Sequence, residues 1–517
     1  MFTLLLVAMF ALHVPLLRLP YFWDEAGYYV PAARDLLLTG SFIPHSTPSN
    51  AHPPLVMAYL ALCWKLLGYA PVVTRTAMVV VAAFSLLGVF QLARRVSNLE
   101  VALASTISTA LYPIFFAQSS LAQVDLAAAG LTFWALHSYV DGKRIRCALW
   151  FSLAVLAKET ALLAPLALFA WEVLGPVLKI KVAPARSWRS LWLLLPCIPL
   201  GLWYAYHFAK TGFVFGNPEF FRYNVQGTLE PLRIVLAFFL RLWQTFGYLN
   251  LSMLTIATLL AMWRAPIRDA GGERPRIALP EQFAFYFVIA AYVVAMAMIG
   301  GAVLARYMLP AVPLVIIVAV STLRRRLRFW KAVVAIVVAG FVVGLFVNPP
   351  YGFTLEDNLA YRDYIVLHQH AEDFLEARFP VSRVLTAWPA SDELTRPYLG
   401  YVTRPMRVFR IEDFTVEQVM SAADARSNFD VALVFSTKYE PVHPMLERWY
   451  TWQRWKAKYF GYHRDVPAEA AAQILGGQLV YSESRQGQWV GVIEMQQEYD
   501  ARVKPMDPPG KPQRLKP

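Results

Sequence analysis

Stretches of about twenty apolar residues recur along this chain and restrict its fold more than any other feature. A run of this length crosses the hydrocarbon core of a bilayer as an α-helix, because a helix satisfies its own backbone hydrogen bonds in lipid. The composition agrees: of 517 residues, 57% are hydrophobic and 16% are charged, with a mean hydropathy of +0.42. Soluble domains carry about 25% charged residues. The sequence therefore predicts a polytopic α-helical membrane protein.

The distribution of positive charge predicts the orientation of these helices. The net charge is +13, and many Lys and Arg residues lie in short segments between apolar runs, which is typical of cytoplasmic loops. We assign four such loops to the cytoplasm: 141–146, 177–189, 264–282 and 323–329. The prediction is eleven spans, with the N-terminus inside and the C-terminus outside: 2–20, 72–93, 99–117, 121–140, two within 147–176, 190–208, 248–263, 283–302, 304–322 and 330–347. No basic helix is interleaved with stacking aromatic residues, so we expect no nucleic-acid partner.

One apolar run is long enough for two short helices. Residues 147–176 are interrupted in the middle by Lys158 and Glu159, and a basic loop lies on each side. If both loops are cytoplasmic, the run is a hairpin with the two charges at its outer tip. The alternative is one long tilted helix, which would bury an ion pair in the bilayer and place the basic loops on opposite sides.

The first outer loop, residues 21–71, is rich in ionisable and aromatic side chains. Two adjacent carboxylates, Asp24 and Glu25, lie among aromatic residues that suit a water–lipid boundary: Tyr21, Phe22, Trp23, Tyr28 and Tyr29. The same loop contains His52-Pro53-Pro54-Leu55 and is long enough for two short helices, near 26–39 and 53–67. A simpler interpretation is that Asp24 caps a helix that begins at Ala26.

The last third of the chain has the composition of a soluble domain. We divide the sequence into a transmembrane domain, 1–348, and a small extracytoplasmic α/β domain, 349–500, followed by a disordered tail, 501–517, rich in Pro and Lys. Alternating polar and apolar residues predict a helix over 359–379, and short apolar runs predict four strands: 382–388, 429–436, 478–483 and 488–495.

Two further sequence features exclude simple alternatives. The three cysteines, Cys63, Cys147 and Cys197, provide neither a disulfide framework nor a metal-ligand spacing. No small-residue cleavage site follows the first apolar run, so we expect a retained helix rather than a signal peptide.

The predicted topology brings charged residues from distant segments to the outer ends of the helices. They are Asp24, Glu25, Arg75, Asp125, Lys158, Glu159, His207, Lys210 and Arg306 beside Tyr307. Interfacial Lys and Arg often extend to the headgroups without further function, and this can explain Arg75 or Lys210 alone. A common location for the whole set indicates a site. Cations can bind the phosphate of a polyprenyl-phosphate sugar as a leaving group, and a carboxylate can accept the proton of an attacking hydroxyl.

Six short motifs occur in an order known from one family. They are Trp23-Asp24-Glu25 with Tyr28, His52-Pro53-Pro54-Leu55, Thr74-Arg75, Val124-Asp125, Leu156-Ala157-Lys158-Glu159 and Arg306-Tyr307-Met308-Leu309-Pro310. Together they resemble the membrane glycosyltransferases of the GT-C class, in the branch of protein O-mannosyltransferases and bacterial lipid A aminoarabinose transferases. Two positions depart from the family pattern: His52 replaces a Lys and Glu159 replaces a Gly.

The resemblance implies a GT-C fold and transfer of a sugar from a polyprenyl-phosphate donor to a hydroxyl of a lipid, glycan or protein acceptor. We expect this at the extracytoplasmic face of a bacterial inner membrane, without a cofactor, by a single displacement that inverts the anomeric carbon. The expected roles divide the residues into three groups: Asp24, Glu25 and Asp125 as catalytic carboxylates; Arg306, Tyr307, Lys158 and Arg75 at the donor phosphate; and His52, Tyr28 and Glu159 at the substrate.

Four alternatives remain open at the level of sequence. The protein could be a flippase or transporter of lipid-linked sugars, although stacked charges at one end and the absence of internal repeats argue against this. It could be a non-catalytic scaffold, which would leave the carboxylates without a role. The reaction could be a double displacement through a glycosyl-enzyme. Finally, oxygen and imidazole ligands from Asp24, Glu25, His52 and Asp125 could bind Mn or Zn.

Overall fold

The structure is a computed structural model that describes residues 1–177, 179–180, 188–218, 221–222, 226–270, 272–441 and 448–496. The predicted disordered tail, 501–517, lies outside these residues. The described residues up to 346 are mainly helical, with loops between the helices and a two-stranded hairpin of Arg268–Asp269 and Gly272–Glu273 in one basic loop. Beyond that point it forms a mixed α/β unit.

The helical part contains fifteen α-helices among the described residues. They are Phe2–His13, Val30–Thr39, Leu55–Leu67, Pro71–Val96, Leu99–Leu111, Pro113–Gln118, Val124–Val140, Arg144–Ala157, Leu163–Val177, Cys197–Thr211, Pro231–Phe246, Leu251–Met262, Leu279–Met298, Val312–Arg326 and Trp330–Phe346. Shorter turns join or extend them: a π-helix at Glu25–Tyr29 and 3₁₀-helices at Val14–Leu16, Glu159–Leu162, Trp188–Leu194, Gln226–Thr228, Ala305–Met308 and Leu355–Asp357.

Several predicted spans are broken rather than continuous. Four helices within the described ranges are long and apolar enough to cross a membrane: Pro71–Val96, Glu159–Val177, Ser190–Thr211 and Leu279–Met298. A fifth results if Pro231–Phe246 and Leu251–Met262, which bend by 79°, form one span. The predicted span 99–117 breaks at Tyr112, whose backbone is extended because Pro113 disfavours helix in the preceding residue. The total of eleven spans stays a prediction.

The long run around Lys158 is interrupted where its charges predict a break. The helix Arg144–Ala157 ends at Lys158, whose backbone is extended, and the chain resumes as a 3₁₀ turn before Leu163–Val177. The two helices pack against different partners, Val124–Val140 and Leu279–Met298 respectively. That both flanking loops face the cytoplasm remains a prediction.

The helix Pro71–Val96 is the central element of the helical core. It packs against Phe2–His13, Leu99–Leu111 and Val124–Val140. At the last contact a Cβ on Gly130 would lie 1.9 Å from Ser85 Oγ, so only glycine permits this separation between the helix backbones. Small residues commonly allow such close approach between helices in membranes.

The α/β unit is built on a five-stranded mixed sheet. In spatial order the strands are Arg407–Arg410, Arg383–Thr386, Val431–Phe435, Gln488–Met495 and Gly477–Arg485; the first three are parallel and the last two antiparallel to their neighbours. Its helices are Ala360–Arg378, Ala390–Thr395, Val416–Asp424, Tyr450–Phe460 and Ala468–Leu475, with 3₁₀ turns at Pro397–Leu399 and Arg426–Asn428.

The burial of each strand within the sheet explains which strands could be predicted from the sequence. The central strand Val431–Phe435 is buried at every residue, so it appears in the sequence as a continuous apolar run. The edge strand Arg407–Arg410 is four residues long with an Arg at each exposed end, so it lacks the apolar signal and was not predicted.

The α/β unit packs directly on the first loop. Tyr21 N donates to Leu399 O, and Tyr401 Oη donates to Tyr21 O at 3.0 Å. Tyr69 Oη donates to Tyr398 O at 2.9 Å. These hydrogen bonds hold the α/β unit against the loop that carries Asp24.

Candidate active site

Arg306 lies at the centre of a buried cluster of carboxylates. Its side chain is 2% exposed and contacts three acidic residues: Nη2 lies 2.5 Å from Asp24 Oδ2, Nε lies 3.2 Å from Asp125 Oδ2, and Nη1 donates to Glu356 Oε2. The three partners come from the first loop, the start of Val124–Val140 and the turn after the last apolar helix. The structure thus joins segments separated by more than two hundred residues.

Lys158 is the second cation of this cluster. Its ammonium lies 2.6 Å from Asp125 Oδ1 and 3.9 Å from the centroid of the Tyr307 ring. The break in the helix at Lys158 gives this side chain its position, because the residue is extended rather than helical. The predicted group Asp125, Lys158, Arg306 and Tyr307 is therefore in mutual contact.

The cluster has one more carboxylate than cation. Asp24, Asp125 and Glu356 face Arg306 and Lys158. Gln123 adds a neutral donor, with Nε2 at 2.8 Å from Glu356 Oε2. Buried charge of one sign that is not balanced is costly, so an additional proton or a cationic or hydrogen-bonding ligand would stabilise the cluster.

Glu356 belongs to the Arg306 cluster but was not predicted from the sequence. Burial raises its pKa to about 6, and the opposing effect of Arg306 is smaller. Burial likewise raises the pKa of the adjacent Asp357 to about 7; Tyr248 Oη donates to this residue at 2.7 Å. A signal was present: Glu356-Asp357 follows the last apolar run as Asp24-Glu25 follows the first.

Arg241 is a second residue that was missed. It is fully buried, with its guanidinium carbon 5.4 Å from the centroid of the Tyr307 ring and hydrogen bonds to Gln244 and to backbone carbonyls. Its Nη2 has no hydrogen-bond partner among the described residues. The sequence signal was an Arg within the apolar segment 231–246, where a buried cation is costly and is therefore usually paired or functional.

Glu25 and Arg75 bind each other away from this cluster. Arg75 Nη1 lies 2.7 Å from Glu25 Oε1, both side chains are fully buried, and Arg75 also donates to the carbonyls of Pro20 and Ser120. Glu25 accepts further bonds from backbone N–H groups of Phe22 and Ala122. The two side chains are paired with each other, and neither is among the residues that line the large cavity beside Arg306, so we withdraw Glu25 from the catalytic group and Arg75 from the donor phosphate.

Asp24 is presented by a strained backbone segment. The preceding Trp23 has φ of +48°, which a bulky residue rarely adopts, and a π-helix of Glu25–Tyr29 follows. Tyr364 and Trp388 of the α/β unit pack against the Trp23 ring with centroids 5.8 and 5.1 Å away. Such backbone conformations persist where surrounding packing enforces them, often at functional sites.

His52 and Glu159 form a neighbouring pair. His52 Nδ1 lies 2.8 Å from Glu159 Oε2, and the His52 ring stacks on Tyr29 with centroids 6.0 Å apart. The two positions that depart from the family pattern are thus partners. The alternative metal site would need Asp24, Glu25, His52 and Asp125 together, whereas Glu25 binds Arg75 and His52 binds Glu159.

His207 and Lys210 are not part of the cluster. His207 is buried, with Nε2 2.8 Å from Ser49 Oγ and Nδ1 2.7 Å from Phe213 O, so it links the first loop to the end of Cys197–Thr211. Lys210 is exposed on the last turn of the same helix. The sequence prediction grouped these two residues with the site because both lie near the end of the same helix.

A cavity of about 1820 Å³ adjoins the charged cluster. Asp24, Tyr28, Lys158, Arg306 and Tyr307 line one wall. Other lining residues belong to the α/β unit and are aromatic or polar, including Trp388, Arg410, Lys438, Trp452, Tyr462 and His463. This volume exceeds that of a typical small-ligand pocket, about 300–1,000 Å³, and has room for a headgroup together with an acceptor.

Comparisons with known proteins agree with this arrangement. A family model described as dolichyl-phosphate-mannose-protein mannosyltransferase matches residues 51–203. The crystal structure of ArnT from Cupriavidus metallidurans bound to undecaprenyl phosphate has 13% sequence identity and a TM-score of 0.54, covering 95% of this chain and 97% of that one. The apo form of the same protein has 14% identity, a TM-score of 0.51 and the same coverage. None of the curated proteins matches this chain in sequence.

The comparisons confirm the predicted resemblance to the GT-C glycosyltransferases of the protein O-mannosyltransferase and ArnT kind. The likeness to ArnT extends over almost the whole length of both chains and is one of fold. The chain is accordingly a polytopic helical membrane protein.

Proposed function

We propose that this protein is a glycosyltransferase that moves a sugar from a polyprenyl-phosphate donor to an acceptor hydroxyl at the extracytoplasmic face of the membrane. The observation that carries the proposal is the cluster in which Asp24, Asp125 and Glu356 surround Arg306, with Lys158 beside it, on the wall of a large cavity. ArnT, which has a similar fold, was crystallised with undecaprenyl phosphate, and this supports a lipid phosphate as the ligand here.

Lys158 and Arg306 are the proposed ligands of the donor phosphate. Among the described residues, Lys158 forms an ion pair with Asp125 alone, and its ammonium carries three donor hydrogens, so donors remain for a phosphate. Arg306 shares its guanidinium among three carboxylates, so the phosphate binds with a proton on Glu356, which frees Nη1 and leaves two carboxylates facing two cations. Arg241 adds positive charge behind Tyr307. These cations stabilise the phosphate as it gains charge on leaving.

Asp24 is the proposed general base. Its side chain is 21% exposed and lines the cavity, whereas that of Asp125 is 3% exposed and holds Lys158 and Arg306. In the reaction the acceptor oxygen forms a bond to the anomeric carbon while the bond from that carbon to the phosphate oxygen breaks. The electron pair leaves with the polyprenyl phosphate, and the hydroxyl proton moves to Asp24.

The stereochemistry separates two mechanisms at this site. A single displacement gives a product with the opposite anomeric configuration to the donor, and NMR of the product reads it. Retained configuration or a trapped glycosyl-enzyme would instead make Asp24 a nucleophile.

The charge distribution supports the extracytoplasmic location. Two of the basic loops, 264–282 and 323–329, are joined at one end of the helices: Ile267 N donates to Arg325 O, and Arg274 Nη1 donates to Arg324 O. The Arg306 cluster lies at the opposite end of Val312–Arg326 from Arg324 and Arg325. If the basic end is cytoplasmic, the cluster faces outward.

A panel experiment tests the function. Purified protein is incubated with polyprenyl-phosphate sugars that differ in the sugar, together with protein, lipid and glycan acceptors, and the release of free polyprenyl phosphate is measured. We expect acceptor-dependent release from at least one donor. Movement of donor between the leaflets of proteoliposomes without release would contradict the proposal and favour a flippase.

A further inference from the structure

Three potential metal ligands lie together in the core of the α/β unit, on the far side of Trp23 from the Arg306 cluster. His368 and Glu372 occupy positions i and i+4 of Ala360–Arg378, so both side chains are on one face of the helix. Glu393 approaches from the short helix Ala390–Thr395. One nitrogen of His368 and one oxygen of each glutamate lie within 4.8 Å of one another.

Hydrogen bonds within the protein leave this group unsatisfied. His368 Nδ1 lies 2.6 Å from Glu393 Oε2 and 3.7 Å from Glu372 Oε1. Both oxygens of Glu372 and Oε1 of Glu393 are buried with no hydrogen-bond partner among the described residues. All three side chains are at most 1% exposed. Among the described residues, both glutamates form ion pairs with His368 and with no Lys or Arg.

Two glutamates in this environment need a positive charge. An unpaired buried carboxylate is strongly destabilising, and one imidazole can neutralise at most one of the two. Buried carboxylates without other partners are commonly paired or coordinate a metal. A proton shared between the two carboxyl groups or a bound cation can supply this charge, and the open oxygens of Glu372 and Glu393 are available as ligands to a cation.

We propose that His368, Glu372 and Glu393 bind one Zn²⁺ ion, with a water molecule or the second oxygen of a glutamate as the fourth ligand. Imidazole and carboxylate are ordinary zinc ligands at about 2.0–2.2 Å, which places neighbouring ligands of a tetrahedral ion about 3.4 Å apart. The 3.7 Å separation of His368 from Glu372 is close to this value, and the 2.6 Å separation from Glu393 must lengthen by about 0.8 Å. The bound ion replaces the proton between His368 and Glu393.

The ion would hold a helix that supports the Asp24 segment. The His368 ring stacks on Tyr364 with centroids 3.9 Å apart, and Tyr364 contacts Trp23. Glu393 is five residues from Trp388, the other aromatic partner of Trp23. Zinc would thus join the two elements that pack against Trp23, so its role is to position rather than to catalyse.

Metal content of the full-length purified protein tests this proposal. The detergent-solubilised chain is stripped with a chelator, dialysed against ZnCl2 and analysed for bound zinc and for its thermal midpoint. We expect about one zinc per chain and a higher midpoint with zinc. His368→Ala and Glu372→Gln should abolish both effects, whereas His370→Ala, an exposed histidine on the same helix, should retain them.

Three results would overturn the proposal. The first is wild-type protein that binds no zinc. The second is unchanged zinc content in His368→Ala or Glu372→Gln. The third is loss of zinc in Asp24→Asn, which would locate the metal in the Arg306 cluster instead. If the variants do not fold, X-ray absorption of zinc bound to the wild type decides: one imidazole with oxygen ligands is expected, and sulfur or several imidazoles would contradict it.

Discussion

At the scale of single residues, Arg306 determines the electrostatics of the site. It is the common partner of Asp24, Asp125 and Glu356, two of which are at most 3% exposed. Removing one partner from a buried charge network commonly costs about 3–5 kcal/mol, because the remaining charges stay buried without compensation. Arg306 therefore contributes to the stability of the protein as well as having the proposed role in donor binding.

Substitution of Arg306 should affect binding and stability together. Arg306→Ala should weaken binding of a polyprenyl-phosphate sugar, slow its transfer and lower the thermal midpoint of the detergent-solubilised protein. Arg306→Lys should recover part of each, because Lys keeps the charge and loses the bidentate geometry. Donor titration and thermal unfolding measure the effects. Transfer by Arg306→Ala at the wild-type rate would remove Arg306 from the phosphate site.

The raised pKa of Glu356 predicts a pH dependence of stability. Below pH 4.5 the folded and unfolded states both hold the proton, and above about 6 neither does, so the penalty for burying the charge appears as pH rises through this window. The shift from 4.5 to about 6 corresponds to about 2 kcal/mol. The free energy of unfolding of the wild type, relative to that of Glu356→Gln, should therefore fall by about 2 kcal/mol between pH 4.5 and 6.

Unfolding of both proteins measured across this pH range tests the expectation. A difference between wild type and Glu356→Gln that is independent of pH, or that grows with pH, would show that Arg306 outweighs burial at Glu356.

At the scale of elements, breaks in helices place the functional side chains. Lys158 lies at the break between two helices, Arg306 lies in a 3₁₀ turn before Val312–Arg326, and Asp24 lies between Trp23 and a π-helix. At such breaks a charged side chain can reach the cavity while the neighbouring helices remain apolar. The site thus depends on interruptions of regular structure more than on the helices themselves.

This explains which parts of the site the sequence reveals. Asp125 and Arg306 lie at the ends of apolar runs and Lys158 interrupts one, so hydropathy and topology predict that the three lie close together. Glu25 and Arg75 have the same pattern but bind each other, and only the packing of the loop decides this. Glu356 also follows an apolar run, but its own segment has ordinary soluble composition, so the sequence assigns it to the α/β domain.

The contact between Gly130 and Ser85 predicts a sensitive position in the helical core. Gly130→Ala places a methyl group 1.9 Å from Ser85 Oγ and should destabilise the protein by about 1–3 kcal/mol through overpacking. Gly201→Ala is the matched control, because no atom lies within 4 Å of its added methyl group. Thermal unfolding in detergent compares the two. Equal midpoints for both variants would mean that the helices are farther apart than described.

At the scale of the whole molecule, the central expectation is that the basic loops and the α/β unit lie on opposite sides of the membrane. Two of the basic loops, 264–282 and 323–329, are joined at one end of the helices, and the α/β unit packs on the first loop at the other end. The Lys and Arg asymmetry then assigns the basic end to the cytoplasm.

Cysteine labelling checks this orientation. Single cysteines are introduced at the exposed positions Ala270, in a basic loop, and Val381, which is 84% exposed in the α/β unit, after replacement of the native cysteines. An impermeant thiol reagent applied to intact cells should label position 381 and leave 270 unlabelled until the cells are opened. The reverse pattern would place the Arg306 cluster inside.

The most direct test of the central claim is the transfer rate of Asp24→Asn under single-turnover conditions, with donor binding measured in the same preparation. Asparagine cannot accept the acceptor proton, so transfer should fall by about 10²–10⁴-fold while the donor still binds. Asp424→Asn changes an exposed carboxylate of the α/β unit that is not among the cavity-lining residues and should transfer at the wild-type rate. Transfer by Asp24→Asn at the wild-type rate would contradict the assignment of Asp24 as the base of this glycosyltransferase.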